Sequence, residues 1–253
     1  MSQSSVTGLR QGHSLVVAID GPSGSGKSSV AREVARRLGL AYQDTGAMYR
    51  ALTWFCVAAG ITLDDAGAVE SAAEDFEFSQ STSPDESWVR VGPGARLGSA
   101  EASVEVTAQI RDPQISESVS AVATNLGART ELVRRQRAAV EAVRGRMVVE
   151  GRDITTVVAP RAEVRLLLTA SEEARLARRG AQLTSAGESQ SSERLAQQVL
   201  ARDARDATVA QFLRAADGVV TIDSSDLDFE QTVAAVIRLV VTTVEGGSRG
   251  QQE

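Results

Sequence analysis

A glycine-rich run near the amino end carries the residue types that bind phosphate groups. The run GPSGSGKS, residues 21–28, matches the pattern G-x-x-x-x-G-K-S/T in full. Glycines at these positions let the backbone turn tightly, so that its N–H groups point at phosphate oxygens. The Lys27 ammonium can reach the β- and γ-phosphates of ATP, and the Ser28 hydroxyl can ligate Mg²⁺. We predict a binding loop for ATP and Mg²⁺, rather than an ordinary glycine-rich turn, formed by Gly21, Pro22, Ser23, Gly24, Ser25, Gly26, Lys27, Ser28 and Ser29.

The segment DTGAMYR, residues 44–50, offers groups for a second anion. It begins a predicted helix, and Asp44 or Thr45 can cap that helix, a role that on its own requires no ligand. Arg50 lies about one and a half turns into the helix, close enough to its start to meet an anion there. We therefore regard Arg50 as a candidate anion ligand.

The segment MVVEGRD, residues 147–153, ends an apolar run with acidic residues. Glu150 and Asp153 could form the acidic pair of a motor-type ATPase, but Arg152 stands between them. An arginine fork suits a second anionic ligand better than a water-activating site. GTPases that read guanine through an Asn-Lys-x-Asp element need a second lysine. Lys27 is the only lysine of the chain, so this class is excluded.

The elements that must position these groups alternate along the chain between strand and helix. Continuous apolar runs at 15–19, 147–150, 164–169 and 218–222 are typical of buried parallel strands. Alternation with helices predicts an α/β fold, a parallel sheet with helices on both faces. Two regions break the alternation: 72–103 predicts a small antiparallel patch, and 184–193 a mobile loop. The predicted helices are 28–38, 47–59, 112–124, 129–143, 171–182, 192–205 and 229–244.

The composition excludes several classes of protein. With 253 residues, 42% of them hydrophobic and 24% charged, the chain is a foldable globular one. One cysteine and one histidine rule out an internal disulfide and a zinc site of the usual Cys/His kind, and His13 lies in a polar leader unsuited to a catalytic base. A net charge of -6 argues against nucleic acid polymers and anionic membranes. The absence of a signal peptide or an apolar span makes a cytoplasmic location the expectation.

Several ordered motifs together resemble the bacterial cytidylate (CMP/dCMP) kinases, a branch of the P-loop nucleoside monophosphate kinases. The resemblance covers about residues 15 to 242, and the patch at 72–103 is similar to the enlarged monophosphate-binding region that distinguishes this family from adenylate kinases. It implies ATP-dependent phosphorylation of CMP and dCMP to CDP and dCDP by a monomer. The motifs are IDGPSGSGKSS, DTGAMYR, ISESVSAVA with RTELVRRQR, VVEGRDITTVV, LTASEEARLARR and ARDARD.

The resemblance also implies an organisation for the chain. Residues 14–244 form one kinase domain between a flexible leader, 1–13, and a flexible tail, 245–253. The domain comprises a core at about 14–60 and 145–244, a monophosphate-binding region with the antiparallel insert at about 61–144, and a lid at about 179–205.

Roles for individual side chains follow from the resemblance as expectations. Lys27, Arg152, Arg178 and Arg202 are the expected catalytic cations, and Arg175 and Arg178 the expected lid residues for ATP. The expected CMP-binding residues are Asp44, Thr45, Tyr49, Arg50, Ser120, Arg129, Gly151, Arg152, Asp153, Arg202 and Asp206. Within this set the resemblance implies that Ser120, Arg129 and Asp153 surround cytosine. The Asp153 carboxylate would favour cytosine, because it accepts from the N4 amino group and repels the uracil oxygen.

Simpler structural roles are open for some of these residues. Arg134, Arg135 and Arg137 have the spacing of a solvated helix face, and the arginines at 175, 178 and 179 could share that role. Ser120, on an alanine-rich helix, could be a packing residue.

Two departures from the family pattern stand out. Where the family has R-D-x-x-D-x-x-R, Val209 occupies the last arginine position and the following segment is shorter. Arg205 or Arg214 could substitute for the missing guanidinium. Thr155 stands where the family tends to have glycine, which could change the turn beside Asp153.

An anionic acceptor oxygen needs no general base, so positioning and charge neutralisation would supply the catalysis. Two other functions are open: another small-molecule P-loop kinase, and a nucleotide-binding regulatory protein without catalysis.

Overall fold

A computed structural model describes residues 14–185 and 192–249 of the chain, with α-helices and β-strands in alternation. Its strands are β1 Leu15–Asp20, β2 Ala41–Asp44, β3 Glu77–Gln80, β4 Val89–Gly92, β5 Val104–Glu105, β6 Arg146–Gly151, β7 Val164–Thr169 and β8 Val220–Asp223. Five of them form one sheet in the order β2-β6-β1-β7-β8. All of its neighbours pair in parallel, which confirms the predicted α/β fold.

The helices connect these strands and begin at identifiable caps. Gly26, in the left-handed conformation at φ 86°, precedes the first helix, and Gly39 at φ 64° ends it. Asp44 caps the second helix through the Ala47 N–H. The helices are α1 Lys27–Leu38, α2 Thr45–Ala58, α3 Ala66–Asp75, α4 Pro113–Ala123, α5 Leu126–Ala142, α6 Glu172–Ser185, α7 Ser192–Asp206 and α8 Phe229–Arg249.

Both faces of the central strand β1 are buried. Val17 and Ile19 pack with α1 and α8 on one face, whereas Val16 and Ala18 pack on the other face with residues that include Ile154. Side chains alternate between the faces of a strand, so a continuous apolar run is required when helices cover both. This explains why the sequence of β1 is apolar at consecutive positions rather than at every second one.

The carboxyl ends of the strands meet at one edge of the sheet. Asp20 of β1 lies opposite Gly151 of β6, and Asp44 of β2 lies opposite Glu150. Ligands in open α/β sheets bind outside this edge. The phosphate loop, DTGAMYR and GRD therefore converge although they are far apart in the sequence.

The region between the core segments has its own apolar cluster. β3, β4 and β5 pair antiparallel, with Phe78 opposite Val91 and Val91 opposite Val104, so the predicted patch is confirmed from 77 onward. Its predicted start at 72 is wrong, because 72–75 belong to α3. The alanine-rich α3 is not predicted from the sequence, although Val69, Ala72 and Ala73 have helical spacing and are buried.

Other boundaries shift by a few residues. β8 begins at Val220 rather than 218, because Gly218 adopts φ 73° in a turn. α8 continues past the predicted end at 244 to Arg249. Of the loop predicted at 184–193, both ends are helical and 186–191 lie outside the described residues, as do the leader, 1–13, and 250–253. No helix in the described ranges combines the length and apolar character needed to cross a membrane.

Candidate active site

A cleft of about 930 Å³ runs along the carboxyl edge of the sheet and continues against the region of α4 and the insert. Its lining includes residues of the phosphate loop and α1 together with Arg129 and Asp153. The predicted site residues that line it are Ser23, Gly24, Lys27, Ser28, Ser29, Asp44, Thr45, Tyr49, Arg50, Arg129, Gly151, Arg152, Asp153 and Asp206. The predicted positions Gly21, Pro22, Ser25, Gly26, Ser120, Arg175 and Arg178 are not among the lining residues.

The phosphate loop adopts a conformation that only glycine accommodates at two of its positions. Gly24 and Gly26 have φ of 79° and 86°. A Cβ on Gly21 would lie 2.4 Å from the Leu168 carbonyl oxygen, and a Cβ on Gly24 would lie 2.8 Å from that of Arg175. The loop is thus pressed against β7 and α6, and its shape leaves Lys27 folded over it with Nζ 3.3 Å from the Pro22 carbonyl.

The Ser28 hydroxyl and the Glu150 carboxylate lie together beside the loop. The Ser28 hydroxyl donates to Glu150 Oε1 at 2.7 Å. Burial, and secondarily the charge of Asp44, raises the pKa of Glu150 to about 7, against the lowering effect of Lys27. Among the described residues no group of three or more His, Cys, Asp or Glu side chains could hold a metal alone. Hydroxyl and carboxylate oxygens nevertheless fit Mg²⁺, which completes its coordination with waters and substrate phosphates.

Asp44 holds Arg50 at the start of α2. Asp44 Oδ1 accepts from the Ala47 N–H and Oδ2 from Arg50 Nη2, both at 2.8 Å, which confirms the predicted cap. Burial raises the pKa of Asp44, but Arg50 and the Ala47 N–H outweigh burial, so the pKa lies below its usual value. The Thr45 hydroxyl donates to the Glu150 carbonyl at 2.8 Å. Arg50 is thereby fixed where its guanidinium faces the cleft.

Arg129 and Asp153 form an ion pair in the lining of the cleft. Arg129 Nη2 lies 2.5 Å from Asp153 Oδ2, and the side chains are 14% and 7% exposed. Tyr49 lines the same cleft. Burial, aided by Asp153, raises the pKa of the Tyr49 phenol, so this group is a neutral donor. The pair presents a carboxylate and a guanidinium side by side, a pattern suited to the polar edge of a base.

Ser120 contacts a carboxylate rather than only packing. Its hydroxyl donates to Asp206 Oδ1 at 2.9 Å, and both residues are buried. This bond joins α4 to the end of α7. Packing alone therefore does not describe Ser120, because its hydroxyl also binds the Asp206 carboxylate.

Arg152 is held on several sides at the end of β6. Its Nη1 lies 2.8 Å from Asp203 Oδ1 and its Nε 3.1 Å from Asp206 Oδ2. The Phe212 ring lies beneath the guanidinium, 4.3 Å from Cζ to the ring centroid. These contacts leave the group little rotational freedom, a property suited to holding an anion in a fixed position.

Arg175 and Arg178 are not part of a solvated helix face. Arg175 is 8% exposed and lies 2.6 Å from Asp203 Oδ2. Arg178 donates to the Ser25 carbonyl at 3.1 Å and to the Ser224 carbonyl at 2.5 Å. Both arginines therefore connect α6 to the phosphate loop.

The arginine motif on α7 is placed only in part. Arg202 lies on α7, but its side chain is outside the described part of the chain. Arg205 and Arg214, the suggested substitutes for the arginine absent at Val209, are both exposed, and neither is among the residues that line the cleft. Instead, the shortened segment places Phe212 against Arg152.

The face of α5 that carries three arginines is not uniformly solvated. Arg134 is exposed and pairs with Glu131, as expected. Arg135 donates to the carbonyls of Phe76 and Ala73 at the end of α3, so the solvated-face prediction is wrong for this residue. The last carbonyls of a helix have no hydrogen-bond donors within the helix. The Arg135 guanidinium supplies the donors for these carbonyls.

Thr155 has a contact that explains the turn after GRD. Its hydroxyl and its N–H donate to Asp20 Oδ2 at 2.5 and 3.0 Å, and the Ile154 N–H donates to Oδ1 at 2.7 Å. Asp20 at the end of β1 thus anchors the π-helical turn Ile154–Val158. No role for Asp20 is predicted from the sequence, although a carboxylate that ends an apolar strand is a signal for one.

Comparison with known proteins agrees with this geometry. The family model described as "Cytidylate kinase" matches residues 17–242. A cytidylate kinase of Cutibacterium acnes is 45% identical over 232 residues, 91% of this chain and 97% of the relative. Those of Streptomyces avermitilis and Rhodococcus opacus are 40% and 42% identical, with 89% and 94% of this chain and 92% and 98% of the relatives covered. The chain belongs to the cytidylate kinase family.

Proposed function

We propose that the protein transfers the γ-phosphoryl group of ATP to the phosphate of CMP or dCMP, giving CDP or dCDP and ADP. One observation carries the assignment of the site: the phosphate loop, Arg50, Arg152 and the Arg129–Asp153 pair line one continuous cleft. A triphosphate at the loop and a monophosphate beneath the two arginines would meet with their phosphates adjacent. In-line transfer requires this arrangement.

The transfer needs no proton acceptor. An anionic oxygen of the CMP phosphate forms the new bond to the γ-phosphorus, and the bond from that phosphorus to the bridging β-γ oxygen breaks, leaving the electron pair on ADP. Charge accumulates on the transferred oxygens, and Lys27, Arg50 and Arg152 are the cations proposed to neutralise it. Arginine forks can bind the acceptor phosphate in a bidentate manner. The Lys27 ammonium is a compact charge on a flexible stem, so it can stay close to the transferred phosphoryl group.

Asp153 and Arg129 are proposed to recognise cytosine. The N4 amino group would donate to the Asp153 carboxylate, and the base carbonyl would accept from Arg129. Uracil presents an oxygen where cytosine presents the amino group, so a carboxylate there opposes its binding. The buried position of the pair supports this role, because a desolvated carboxylate discriminates more strongly than an exposed one.

Mg²⁺ would be held by the Ser28 hydroxyl, with Glu150 as the carboxylate that orients this hydroxyl. When bound, the ion supplies positive charge that the β- and γ-phosphates share. Glu150 keeps Ser28 Oγ directed toward the end of the phosphate loop through the 2.7 Å bond.

The helices α6 and α7 are proposed to act as the lid over ATP. Arg178 connects α6 to the loop through the Ser25 carbonyl, so a change in the position of α6 is transmitted directly to the phosphate site. Closure of such a lid excludes water and prevents hydrolysis of ATP. We propose that one chain, without a partner subunit, contains the complete site.

The test is an ADP-production assay with CMP, dCMP, UMP and AMP as acceptors, run with and without Mg²⁺. We expect CMP and dCMP to be phosphorylated at least about 10-fold better than UMP in kcat/KM, the discrimination of one polar contact of 1.4 kcal/mol. Identification of CDP by chromatography separates transfer from ATP hydrolysis. Equal rates for CMP and UMP would contradict the role of Asp153, and binding of both nucleotides without CDP formation would contradict the reaction.

A further inference from the structure

Asp203 is a buried carboxylate that contacts three separate segments of the active site. It lies on α7 and is 5% exposed. Its partners are Ser23 in the phosphate loop, Arg152 after β6 and Arg175 on α6. No other role for this residue arises from the reaction as described above, because Asp203 is not among the groups that line the cleft.

The two oxygens of Asp203 divide these contacts. Oδ1 accepts from the Ser23 N–H at 3.2 Å and from Arg152 Nη1 at 2.8 Å. Oδ2 accepts from Arg175 Nη1 at 2.6 Å. The same Arg175 nitrogen donates to the Ser23 carbonyl at 3.0 Å. Asp203 and Arg175 therefore bind the N–H and the carbonyl of Ser23, respectively. Asp203 also binds Arg152.

These contacts connect the two halves of the reaction. Ser23 belongs to the loop proposed to hold ATP, and Arg152 is a cation proposed to face the CMP phosphate. The two residues follow adjacent strands, β1 and β6, but sit on separate loops that could shift independently. A displacement of about 1 Å between reacting groups can cost on the order of 100-fold in rate. A carboxylate bonded to both loops removes that freedom.

Stability alone is a weak reason for this arrangement. Burying charged groups costs solvation free energy that ion pairing roughly offsets, so buried pairs contribute little net stability. α7 is already fixed near Arg152 and α4 by Asp206, which contacts Arg152 Nε and the Ser120 hydroxyl. What Asp203 adds is a direct link between Arg152 and the phosphate loop, because its Oδ1 accepts from both Arg152 and the Ser23 N–H.

We propose that Asp203 is a positioning residue for phosphoryl transfer: it aligns Arg152, on the acceptor side, with Ser23 of the phosphate loop, on the donor side. The inference rests on the proposed function, because it assigns Arg152 to the CMP phosphate. Asp203 touches neither substrate and acts through Arg152 and the loop.

The test compares Asp203→Asn with the unaltered protein, using Asp64→Asn, an exposed carboxylate in the loop before α3, as the matched control. The asparagine keeps the size of the side chain but removes its charge and one acceptor. We expect kcat to fall about 10- to 100-fold, the cost of a displacement near 1 Å. Dissociation constants for CMP and for ADP, measured by calorimetry, should change less than kcat, and the Asp64 variant should be unaffected in both.

A double-mutant cycle with Arg152→Ala separates positioning from a general structural effect. If Asp203 acts through Arg152, adding Asp203→Asn to the Arg152→Ala protein should reduce kcat by less than about 3-fold, because interacting residues are not additive. Full additivity, or a normal kcat in Asp203→Asn, would overturn the proposal. If Asp203→Asn does not fold, Asp203→Glu is used instead, because it keeps the charge but moves it by one methylene group. A reduced kcat with CMP binding retained supports the positioning role. A normal kcat refutes it.

The same assay distinguishes this inference from the proposed function. Absence of CDP with the unaltered protein would refute the function itself. Normal CDP formation by the unaltered protein and by the Asp203 variants would refute only the positioning role.

Discussion

Asp153 and Arg129 share a 2.5 Å ion pair in which both side chains are largely shielded from water. The carboxylate stands 24 residues from its partner in the chain, on the segment after β6, whereas Arg129 lies in the first turn of α5. The pair thus joins the sheet to the region proposed to bind the monophosphate.

Asp153→Asn should relax the discrimination between CMP and UMP. An amide can turn its NH₂ group toward the uracil oxygen, and it is a weaker acceptor for the cytosine amino group than a carboxylate. We expect kcat/KM for CMP to fall about 10- to 100-fold, the range of one buried polar contact to a charged group, and the CMP/UMP ratio to fall with it. KM for ATP serves as the internal control and should stay constant. An unchanged CMP/UMP ratio would remove Asp153 from base recognition.

Lys27→Arg should nearly abolish turnover although it keeps the charge. Lys27 folds over the phosphate loop toward the Pro22 carbonyl, where the compact ammonium fits among backbone groups. A guanidinium is planar and wider, so it would displace the loop or the γ-phosphate. We expect kcat to fall at least about 100-fold, the loss typical of one preorganised charge-stabilising group. Arg134→Lys, a swap of the same two residue types on an exposed site, is the matched control and should leave kcat unchanged.

The parts of the site that could be predicted are those whose residues are close together in the sequence. GPSGSGKS forms its own turn, the Asp44 cap reaches only to Ala47, and the apolar run of β1 specifies a buried strand regardless of its neighbours. Four of the five strands of the sheet follow from such local patterns, whereas the short edge strand β2, Ala41–Asp44, is not predicted.

The contacts that could not be predicted join distant segments. Asp203 is 180 residues from Ser23 and 51 from Arg152. The motif ARDARD contains Asp203, but the motif does not show that this carboxylate is buried or which residues it contacts. Arg135 has the spacing of an exposed residue, and only the packing of α3 against α5 gives it carbonyls to bind. In physical terms, helix and strand patterns report burial along one element, whereas these partners are chosen by the tertiary fold.

Thr155→Val should destabilise the protein in a pH-dependent manner. The Thr155 hydroxyl donates to Asp20. Burial raises the pKa of Asp20 above its usual value, and this bond opposes part of that rise. The bond stabilises the ionised carboxylate, so its loss raises the pKa of Asp20 further. A carboxyl group with a raised pKa in the folded state destabilises that state as the pH rises through the pKa. The variant should therefore lose about 1–3 kcal/mol at neutral pH and less under acid conditions, where Asp20 is protonated.

Chemical denaturation of the unaltered protein and of Thr155→Val between pH 4 and 8 measures this difference. Thr155→Ser, which retains the hydroxyl, is the matched control and should follow the unaltered protein in its pH dependence. A destabilisation of Thr155→Val that is constant across the pH range would mean that the lost contact is one of packing and not a bond to the Asp20 carboxylate.

Phe212→Leu should weaken the acceptor side of the site while leaving the ATP side intact. The Phe212 ring is fully buried and lies 4.3 Å from Arg152 Cζ, so its π face fixes the guanidinium plane. Leucine keeps an apolar side chain at this position and removes only the ring. A cation–π contact of about 0.5–2 kcal/mol corresponds to a decrease in kcat/KM for CMP of roughly 2- to 30-fold. Leu213→Ala, at the exposed neighbouring position, controls for disturbance of the segment and should be neutral. If Phe212→Leu reduced kcat/KM for ATP as much as for CMP, the ring would be supporting the whole cleft rather than Arg152.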